Sequence, residues 1–385
     1  MNKTWQVAII PGDGIGPEVI AEAQACLDRL NELGACDIEM TAFPWPATAY
    51  HRENGQMMPD DGLEQLRRFD ALLLGALGDP GPGSDPDHYV LPDSVSLEPL
   101  LKIRKGFDQW ACERPAYLLP GARQYLADPR AKDVDMLVIR ENSEGEYVSQ
   151  GGRIRPGTPA EVATQVEVFT RFGTERILRY AFDRARQRAA TRKAENRTRE
   201  FSHRDGKPRE SQVCLITKRN ALRHWGDMYV EVFEQLAQEY SDVAVHHELV
   251  DAACMKFVQA PWQFDVVAAS NLQGDILTDL AAVLSGGLGV APSCNLNPDD
   301  RTVPSMFEPT HGSAPDIAGQ GIADPRAMLF TTARMLRWLG EEDDDAASAG
   351  DLLFNAVAAD LAEAAGQPPR STTSIGTAIR DRLKL

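Results

Sequence analysis

Short apolar runs alternate with amphipathic stretches along the chain, and this alternation is the strongest constraint on its fold. Runs such as VAII, ALLLGAL, VDMLVIR, QVCLITK and FDVVAAS have the length of buried strands, whereas residues 17–33 and 62–69 have the periodicity of helices. The alternation is typical of an α/β protein whose parallel strands lie between helices. Polar residues follow the runs, and open α/β sheets place their ligands at such strand ends.

The chain is long and acidic. It has 385 residues, with 57 acidic and 40 basic side chains and a formal net charge of −17. Its length suits two domains that share one substantial core. The negative field would repel nucleic acid and anionic membranes, so we expect neither as a partner. A small anionic substrate would need a local basic pocket.

The cysteines favour a reduced, cytoplasmic protein. They are scattered singly, several within apolar runs, and show neither a paired metal spacing nor a dense disulfide framework. They are Cys26, Cys36, Cys112, Cys214, Cys254 and Cys294. We also expect no secretion signal and no membrane span, because the sequence contains no cleavage pattern and no run of eighteen apolar residues.

The segment GDILTD, directly after FDVVAAS, predicts half of a metal site. Asp275 and Asp279 are four residues apart, so on a helix they share one face, with Cβ atoms about 5–6 Å apart. Carboxylate oxygens at that separation suit Mg²⁺ or Mn²⁺. Asp275 has a second interpretation, as an acid in the first helical turn that caps the helix or favours its dipole. Asp279, one turn further on beside apolar residues, has no such explanation.

The N-terminal GDGIGPE suggests a dinucleotide fingerprint, because its three glycines follow a strand and precede a helix. The spacing differs from G-x-G-x-x-G, and the second strand ends in Phe43 and Pro44 instead of the acid that would hold a ribose. The pattern therefore argues against a Rossmann fold. We expect Gly12, Gly14 and Gly16 to form a tight turn beside a ligand.

Residues 184–209 are unusually basic, with ten Lys or Arg residues and three acids. We expect a solvated helix end and loop, because charge runs usually face water. A contact surface for a partner is the alternative.

A series of motifs carries a resemblance to a known family. In chain order they are PGDGIGPEV, IRKGFDQWACERP, RENSEGEY, TKRNAL, SNLQGDILTD and FEPTHGSAPDIAGQGIADP. The chain resembles the β-decarboxylating dehydrogenases, the family of isopropylmalate, isocitrate, homoisocitrate, tartrate and D-malate dehydrogenases, and most of all the tartrate and D-malate branch. The resemblance implies a two-domain isopropylmalate dehydrogenase-like fold with a large mixed, mostly parallel sheet. Residues 1–110 and 288–385 would form a cofactor-side domain, and residues 111–287 a substrate, metal and dimerisation domain that includes the basic insertion.

Three arginines on separate segments, Arg104, Arg114 and Arg140, supply the basic pocket that an acidic chain needs. A guanidinium binds a carboxylate through two parallel hydrogen bonds. Each arginine alone would more often be a surface charge. The family pattern implies that together they clamp a small dicarboxylate substrate.

Lys218 follows the run VCLIT, and Asp251 precedes the stretch AACMKFV. From the residues alone, Lys218 could simply reach solvent and Asp251 could be an N-cap. The resemblance implies that Asp251 is a third metal ligand and that both residues reach the site from a neighbouring subunit. We therefore expect a homodimer with shared active sites, in which residues 150–172 form an intersubunit arm.

The implied reaction is oxidation of a 2-hydroxy acid, followed by loss of the carboxylate on the next carbon as CO₂. A metal held by Asp251, Asp275 and Asp279 would bind the substrate hydroxyl and the adjacent carboxylate. Lys218 is the candidate base, with a pKa lowered by burial near cationic groups. Tyr147 is the candidate acid that protonates the carbon after CO₂ leaves, although it could instead be only a packed aromatic residue.

The resemblance also implies a cofactor site in the first glycine turn and in the loop after PSMF. Asp316 lies where the family binds the adenosine ribose, and a carboxylate there favours NAD because it would repel the 2′-phosphate of NADP. Asp324 replaces a common asparagine that contacts adenine, and a carboxylate accepts hydrogen bonds without donating them. The implied residues are Ile15, Glu308, His311, Gly312, Ser313, Ala314, Asp316 and Asp324.

Substrate choice in this family depends on the residues just before Arg104. Glu98 and Leu100 stand where isocitrate enzymes have serine or asparagine, which disfavours isocitrate. Leu97 stands where isopropylmalate enzymes have a glutamate and tartrate enzymes a tryptophan. The leucines suit an apolar substituent on the substrate, whereas Glu98 suits a hydroxyl group.

These observations predict an NAD-dependent and Mg²⁺- or Mn²⁺-dependent β-decarboxylating dehydrogenase of an (R)-malate such as tartrate, D-malate or 3-isopropylmalate. One alternative is a non-catalytic regulatory subunit of the same fold, which would have no need of the complete set of ionisable residues. Another is a dehydrogenase of phosphorylated hydroxyamino acids, which we would expect to have histidine ligands at the metal positions.

Overall fold

The computed structural model describes residues 3–78 and 91–385. Each apolar run named above forms one of the strands of its described residues. The strands are β1 (Trp5–Gly12), β2 (Ile38–Ala42), β3 (Ala71–Ala76), β4 (Ala111–Tyr117), β5 (Asp135–Glu141), β6 (Gly151–Ile154), β7 (Val162–Gln165), β8 (Gln212–Thr217), β9 (Ala244–Leu249), β10 (Val266–Ala269), β11 (Pro292–Leu296) and β12 (Ser305–Pro309).

Helices connect most of these strands. They are α1 (Gly16–Glu32), α2 (Thr48–Asn54), α3 (Gly62–Leu66), α4 (Asp93–Ser96), α5 (Glu98–Gly106), α6 (Arg171–Ala194), α7 (Arg223–Glu239), α8 (Val250–Gln259), α9 (Asn271–Leu284), α10 (Arg326–Leu339), α11 (Asp344–Glu363) and α12 (Thr372–Arg380). Short 3-10 turns occur at Pro129–Asp133, Pro261–Gln263 and Leu288–Val290.

The chain divides into two compact units. Unit 1 comprises residues 1–109, 118–127 and 282–385, and unit 2 comprises residues 110–117 and 128–281. Segment 118–127 groups with unit 1 because Gly121 lies against α11, so close that a Cβ there would be 2.1 Å from the Leu361 carbonyl oxygen. The functional roles that the sequence assigns to the two domains remain predictions.

Unit 1 contains five strands in the order β2-β1-β3-β12-β11. Neighbouring strands are parallel except for the antiparallel pair β11–β12. Buried aliphatic and aromatic side chains of β1, β3, α3 and α5 form one core cluster, which includes Ile10, Phe43, Leu74 and Ile103. The central strand β3, ALLLGA, is apolar and buried throughout because both of its faces are covered.

Unit 2 has the same plan, with the strand order β4-β5-β10-β8-β9. Only the pair β4–β5 is antiparallel. Every residue of β10 is buried, as expected for a central strand. The predicted α/β class with a mixed, mostly parallel sheet is therefore confirmed.

Strands β6 and β7 form a separate antiparallel hairpin in the predicted arm, with Gly151 opposite Gln165. All of their residues are exposed, including the apolar Ile154 and Val162. Exposed apolar side chains on a two-stranded hairpin are unusual, because such a hairpin has little core of its own.

All six cysteines are free thiols, and all but the half-buried Cys254 are buried. Burial raises the pKa of Cys26 to about 12. Within residues 3–78 and 91–385, the helices are either too short or too polar to cross a membrane.

Most residues of the basic segment 184–209 are exposed, as its charge predicted, but several of its arginines contact polar groups inside unit 2. Arg188 and Arg192 of α6 donate hydrogen bonds to the fully buried Asp265 at 2.8 and 2.9 Å. Arg199 donates to the main-chain oxygen of Asp135 at 2.6 Å. Burial of Asp135 acts to raise its pKa, but the neighbouring guanidiniums outweigh this and hold the pKa below its usual value. The prediction of a solvated helix end and loop is confirmed for most of the segment. It fails at Arg188 and Arg192, because these two arginines neutralise the buried Asp265 of unit 2.

This buried network yields a stability prediction. Asp265→Ala would leave Arg188 and Arg192 buried without their common partner, which should lower the free energy of unfolding by about 3–5 kcal/mol. Asp242→Ala breaks an exposed pair with Arg186 and should cost at most about 1 kcal/mol. Urea denaturation of both variants measures the difference. Equal losses in the two variants would contradict the structural role of the buried acid.

Candidate active site

The polar residues of unit 2 collect at one edge of its sheet. Strands β5, β8, β9 and β10 are parallel, so their carboxyl ends lie on the same side. Arg140 lies at the end of β5, Lys218 directly follows β8, Asp251 follows β9, and Asn271 begins the helix after β10. Each of these four strands is therefore followed by, or ends in, a polar residue at this edge of the sheet.

Asp275 is the centre of the first cluster. Its carboxylate forms an ion pair with Arg140, contacts Arg114 at 3.3 Å and accepts a hydrogen bond from the Tyr147 hydroxyl at 2.9 Å. The Arg140 guanidinium also lies 5.2 Å from the centre of the Tyr147 ring. Arg140 is buried, with 2% of the side chain exposed, so a buried positive charge faces a predicted metal ligand. Two of the three predicted substrate arginines and the predicted proton donor thus meet on one carboxylate.

Two residues that the sequence analysis missed hold these arginines in place. Asn271 accepts hydrogen bonds from Arg140 Nε and Nη2 at 3.0 and 2.7 Å, and donates to the Glu144 carbonyl oxygen at 3.0 Å. Thr278 Oγ1 accepts a hydrogen bond from Arg114 at 2.7 Å. The signal for Asn271 was present, since it is the first polar amide after the run FDVVAAS at the carboxyl end of a strand.

Gly274 is required by the same packing. A Cβ at this position would lie 2.8 Å from both Cβ and Cγ of Arg140. Real Cβ atoms do not approach other atoms so closely, so α9 and the end of β5 can meet here only through a glycine.

The metal-site prediction concerns Asp275 and Asp279 on α9. This helix begins at Asn271, so Asp275 lies in the second turn and the alternative that it caps the helix is wrong. Partial burial raises the pKa of Asp279 more than the Arg114 guanidinium lowers it, and the neighbouring Asp275 carboxylate raises it further. A partly buried carboxylate beside a second carboxylate is a donor set that fits a hard divalent cation. Among residues 3–78 and 91–385 of one chain, no group of three His, Cys, Asp or Glu side chains could hold a metal.

Lys218 and Asp251 form a second cluster on neighbouring strands. Lys218 Nζ donates a hydrogen bond to Asp251 Oδ1 at 2.7 Å, and this contact lowers the pKa of Asp251. The side chains are 29% and 64% exposed. In a single chain the charged neighbour of Lys218 is an acid. The expectation of a buried lysine among cations concerns a site shared by two chains and stays a prediction. Asp251 lies in the first turn of α8, where Leu249 is the N-cap, so the N-cap alternative is wrong.

In unit 1, Arg104 pairs with Glu308. Arg104 Nη2 donates to Glu308 Oε1 at 2.6 Å, and Asn295 donates to the same oxygen at 2.7 Å. Both charged side chains are largely buried. A predicted substrate residue and a predicted cofactor residue are thus in direct contact. The convergence of Arg104 with Arg114 and Arg140 on one substrate remains a prediction.

The predicted specificity residues begin α5. Leu97 is its N-cap, and Glu98 is exposed in the first turn. Leu97 and Leu100 are partly buried against the core cluster of unit 1. Much of the apolar surface that the two leucines were expected to present to a substrate therefore packs against the protein itself.

The glycine turn after β1 contacts the predicted cofactor loop directly. Ile15 N donates to the Ser313 carbonyl oxygen at 2.8 Å. Gly14 has a positive φ of 58°, and a Cβ there would lie 2.0 Å from the same oxygen. Residue 14 must therefore be glycine for the turn and the loop to meet.

The loop itself presents a hydrogen-bond acceptor. His311 Nδ1 lies 3.0 Å from the Gly312 carbonyl oxygen, and because a carbonyl only accepts, Nδ1 carries the proton. Burial lowers the pKa of His311, which favours the neutral ring. Nε2 is a buried acceptor with no hydrogen-bond partner in the part of the chain that the structure describes. Ala314 follows with a positive φ of 41°, and Asp316 is exposed.

Asp324 is fixed by a chain of ion pairs that the sequence analysis missed. Arg326 Nη1 donates to Asp324 at 2.7 Å, and Arg326 Nη2 donates to the buried Asp360 at 2.7 Å. Arg370 donates to Asp360 from the other side at 2.6 Å. These partners are 2 to 46 residues away in sequence, so no local pattern could have revealed the full chain of contacts.

Comparison with known proteins identifies the family. A profile described as isocitrate/isopropylmalate dehydrogenase matches residues 6–376. The chain belongs to this family. It is 42% identical over its whole length to a 3-isopropylmalate dehydrogenase of Streptomyces avermitilis, of which it covers 99%. It is equally similar, at 42%, to a decarboxylating D-malate dehydrogenase of Escherichia coli, with 100% of this chain and 97% of the relative covered.

Two further relatives of this dehydrogenase family have different names. A probable tartrate dehydrogenase/decarboxylase of Agrobacterium vitis is 43% identical over 89% of this chain and 87% of the relative. The crystal structure of an isocitrate dehydrogenase from Methylococcus capsulatus superimposes with a TM-score of 0.78 at 30% identity, covering 99% of this chain and 100% of that chain. The protein is therefore an oxidoreductase, a decarboxylating dehydrogenase of hydroxy acids. Identities of 42–43% do not separate the substrate branches.

The missed residue Asn271 gives a direct test of the arginine cluster in this dehydrogenase. Asn271→Ala removes the acceptor of two hydrogen bonds from a buried guanidinium, which should lower the free energy of unfolding by about 1–3 kcal/mol and weaken substrate use. Chemical denaturation and kcat/KM measure both effects. Asn54→Ala removes a single exposed side-chain bond to Tyr50 and serves as the control. Wild-type values for the Asn271 variant would refute the positioning of Arg140.

Proposed function

We propose that the protein catalyses NAD-dependent and Mg²⁺- or Mn²⁺-dependent oxidation and β-decarboxylation of an (R)-malate-type 2-hydroxy acid such as tartrate, D-malate or 3-isopropylmalate. One observation carries this proposal: the acid pair Asp275 and Asp279 lies beside Arg114, Arg140 and Tyr147 at the carboxyl edge of the unit 2 sheet. The names of the relatives support the same substrate class.

The acid pair would hold the metal, together with Asp251 of a second chain. Supporting observations are the hard oxygen donors and the partial burial of Asp279, which raises its pKa, with a smaller contribution from the Asp275 carboxylate. A dication would offset both effects. When bound, the cation would polarise the substrate hydroxyl and the adjacent carboxylate.

The arginines would bind and orient the substrate. Arg140 is held rigidly by Asn271, and Arg114 by Thr278, so their guanidiniums need little reorganisation to accept a carboxylate. Arg104 would contribute a third contact. A clamp of this kind favours substrates with two carboxylates, which all three named malates possess.

Lys218 and Tyr147 would handle the protons. Lys218 Nζ would take the proton of the substrate hydroxyl, and NAD, when bound, would supply the hydride acceptor for the same carbon. The neighbouring C–C bond would then break, CO₂ would leave, and the electron pair would remain as an enolate. Tyr147 would donate a proton to the enol carbon. Its hydroxyl already donates to Asp275, which shows that its proton points into the cluster.

The loop of unit 1 would bind NAD through the residues that the family resemblance implies. Two observations support the fit: His311 Nε2 is a buried acceptor in need of a donor such as an amino or hydroxyl group, and Gly14 allows the turn to approach Ser313 closely. The exposed carboxylate of Asp316 suits a ribose diol and would repel a 2′-phosphate. NAD is therefore the expected cofactor.

A homodimer would complete each site. Helices α8 and α9, which carry the aspartates, expose large apolar side chains at Met255, Val258, Leu272 and Ile276. Apolar faces of this kind on a monomer suit an interface between copies of the chain. The exposed hairpin β6–β7 would add the intersubunit arm.

A substrate panel tests the proposed activity. With Mn²⁺ and NAD present, we expect NADH formation from D-malate, a tartrate isomer or 3-isopropylmalate, and much slower reaction with isocitrate. Replacing NAD with NADP should lower kcat/KM by at least about tenfold, because of Asp316. Absence of turnover with every compound of the panel would contradict the proposal and favour a non-catalytic subunit.

Metal binding can be tested without turnover. Mn²⁺ should raise the Tm of the wild-type protein, because a ligand that binds only the folded state stabilises it by mass action. In Asp279→Asn the shift should shrink to near zero. Asp351→Asn, at an exposed acid that pairs with Arg337, is the control. An undiminished shift in the Asp279 variant would place the metal elsewhere.

A further inference from the structure

We propose that Thr217 and His247 are positioning residues that fix the backbone on either side of Lys218. The inference rests on the proposed role of Lys218 as the base. Neither residue has an assigned function, and neither would touch the substrate.

The first support is a hydrogen-bonded chain between strands β8 and β9. The two strands are parallel, with Leu215 opposite His247 and Thr217 opposite Leu249. His247 Nε2 lies 2.8 Å from Thr217 Oγ1, and the same oxygen accepts a hydrogen bond from Arg219 N at 3.3 Å. Thr217 is fully buried. One buried hydroxyl therefore ties together the residues before and after Lys218.

The protonation state of His247 determines which groups donate and which accept in these hydrogen bonds. Burial of the ring, together with the nearby Arg219 guanidinium, lowers the pKa of His247. A neutral ring can accept the hydroxyl proton of Thr217 at Nε2, which leaves the threonine oxygen free to accept from Arg219 N. The Thr217 hydroxyl then donates to His247 and accepts from Arg219 N at the same time.

The second support is the packing of the turn after Lys218. The Lys218 carbonyl oxygen accepts hydrogen bonds from Ala221 N at 2.9 Å and Leu222 N at 2.8 Å. A Cβ on Gly226 of α7 would lie 2.6 Å from both Cα and Cβ of Arg219. Helix α7 therefore packs directly against the turn. The backbone of Lys218 is fixed by the Thr217 hydrogen bonds before it and by this packing after it.

This support matters because a lysine side chain is long and flexible. Its ammonium group can be placed reproducibly only if the Cα from which it extends is fixed, and a displacement of about 1 Å at a reacting group can reduce the rate about 100-fold. The exposed contact with Asp251 alone would not fix it. The buried threonine supplies the anchor within the strand.

Thr217→Val tests this positioning because it removes the hydroxyl and keeps the shape. With D-malate, NAD and Mn²⁺, or whichever panel substrate is oxidised fastest, we expect kcat to fall about tenfold while KM changes less than about twofold. Thr217→Ser, which restores the hydroxyl, should recover most of kcat. His247→Leu should match the valine variant, and His247→Gln should be milder. His246→Leu, at a neighbouring histidine that pairs with Glu248, is the control.

The result that would overturn the inference is a wild-type kcat per folded molecule in Thr217→Val, with the folded fraction measured by urea denaturation. A Thr217→Val variant with lower stability but unchanged kcat would also contradict the inference, because Thr217 would then have only a structural role. Lys218→Ala separates this failure from that of the proposed function. If Lys218→Ala keeps its activity, the base assignment fails; if it is inactive while Thr217→Val is normal, only the positioning fails.

Discussion

The buried guanidinium of Arg140 is the constraint on which the candidate site depends. It is almost fully removed from water, and a charge in that position is tolerated only when hydrogen bonds and an opposite charge replace its hydration. Asn271 and Asp275 supply both from the first two turns of α9. Gly274 between them allows the helix to approach. The end of β5 and the start of α9 therefore form one unit, and the predicted metal ligand, proton donor and substrate arginine are positioned together.

The same principle explains how an acidic chain accommodates so many arginines. Arginines Arg188 and Arg192 neutralise the buried Asp265, and Arg326 and Arg370 neutralise the buried Asp360. These pairs stabilise the two units internally. The arginines of the Asp275 cluster differ, because their partner is itself a predicted metal ligand. A cation at Asp275 and Asp279 would compete for that carboxylate, and the guanidiniums would then be available to a substrate carboxylate.

The fold was largely predictable from the sequence because central strands such as β3 and β10 are apolar throughout and the helices periodic, so length and pattern agree. The acid pair of α9 was predictable from its spacing. The details that failed depend on the folded structure. Helix α9 begins at Asn271, so Asp275 does not cap it, and the buried Asp265, distant in sequence, binds Arg188 and Arg192 of the otherwise exposed basic segment. Thr278 and Arg326 carry no local signal of the contacts they make. Long-range pairing of this kind cannot be read from periodicity or composition.

The claim that each active site is shared between two chains can be tested most directly with a heterodimer. Its two chains are co-expressed with different tags, one with Lys218→Met and one with Asp279→Asn, and the activity of the purified heterodimer is measured. Each homodimer should be inactive. If Lys218 serves the acid pair of the neighbouring chain, one site of the heterodimer combines intact Lys218 with intact Asp279, and it should retain about half of the wild-type kcat per dimer. An inactive heterodimer would contradict shared sites, because every site would then contain one of the two defects. Active homodimers would contradict the assignment of the residues themselves.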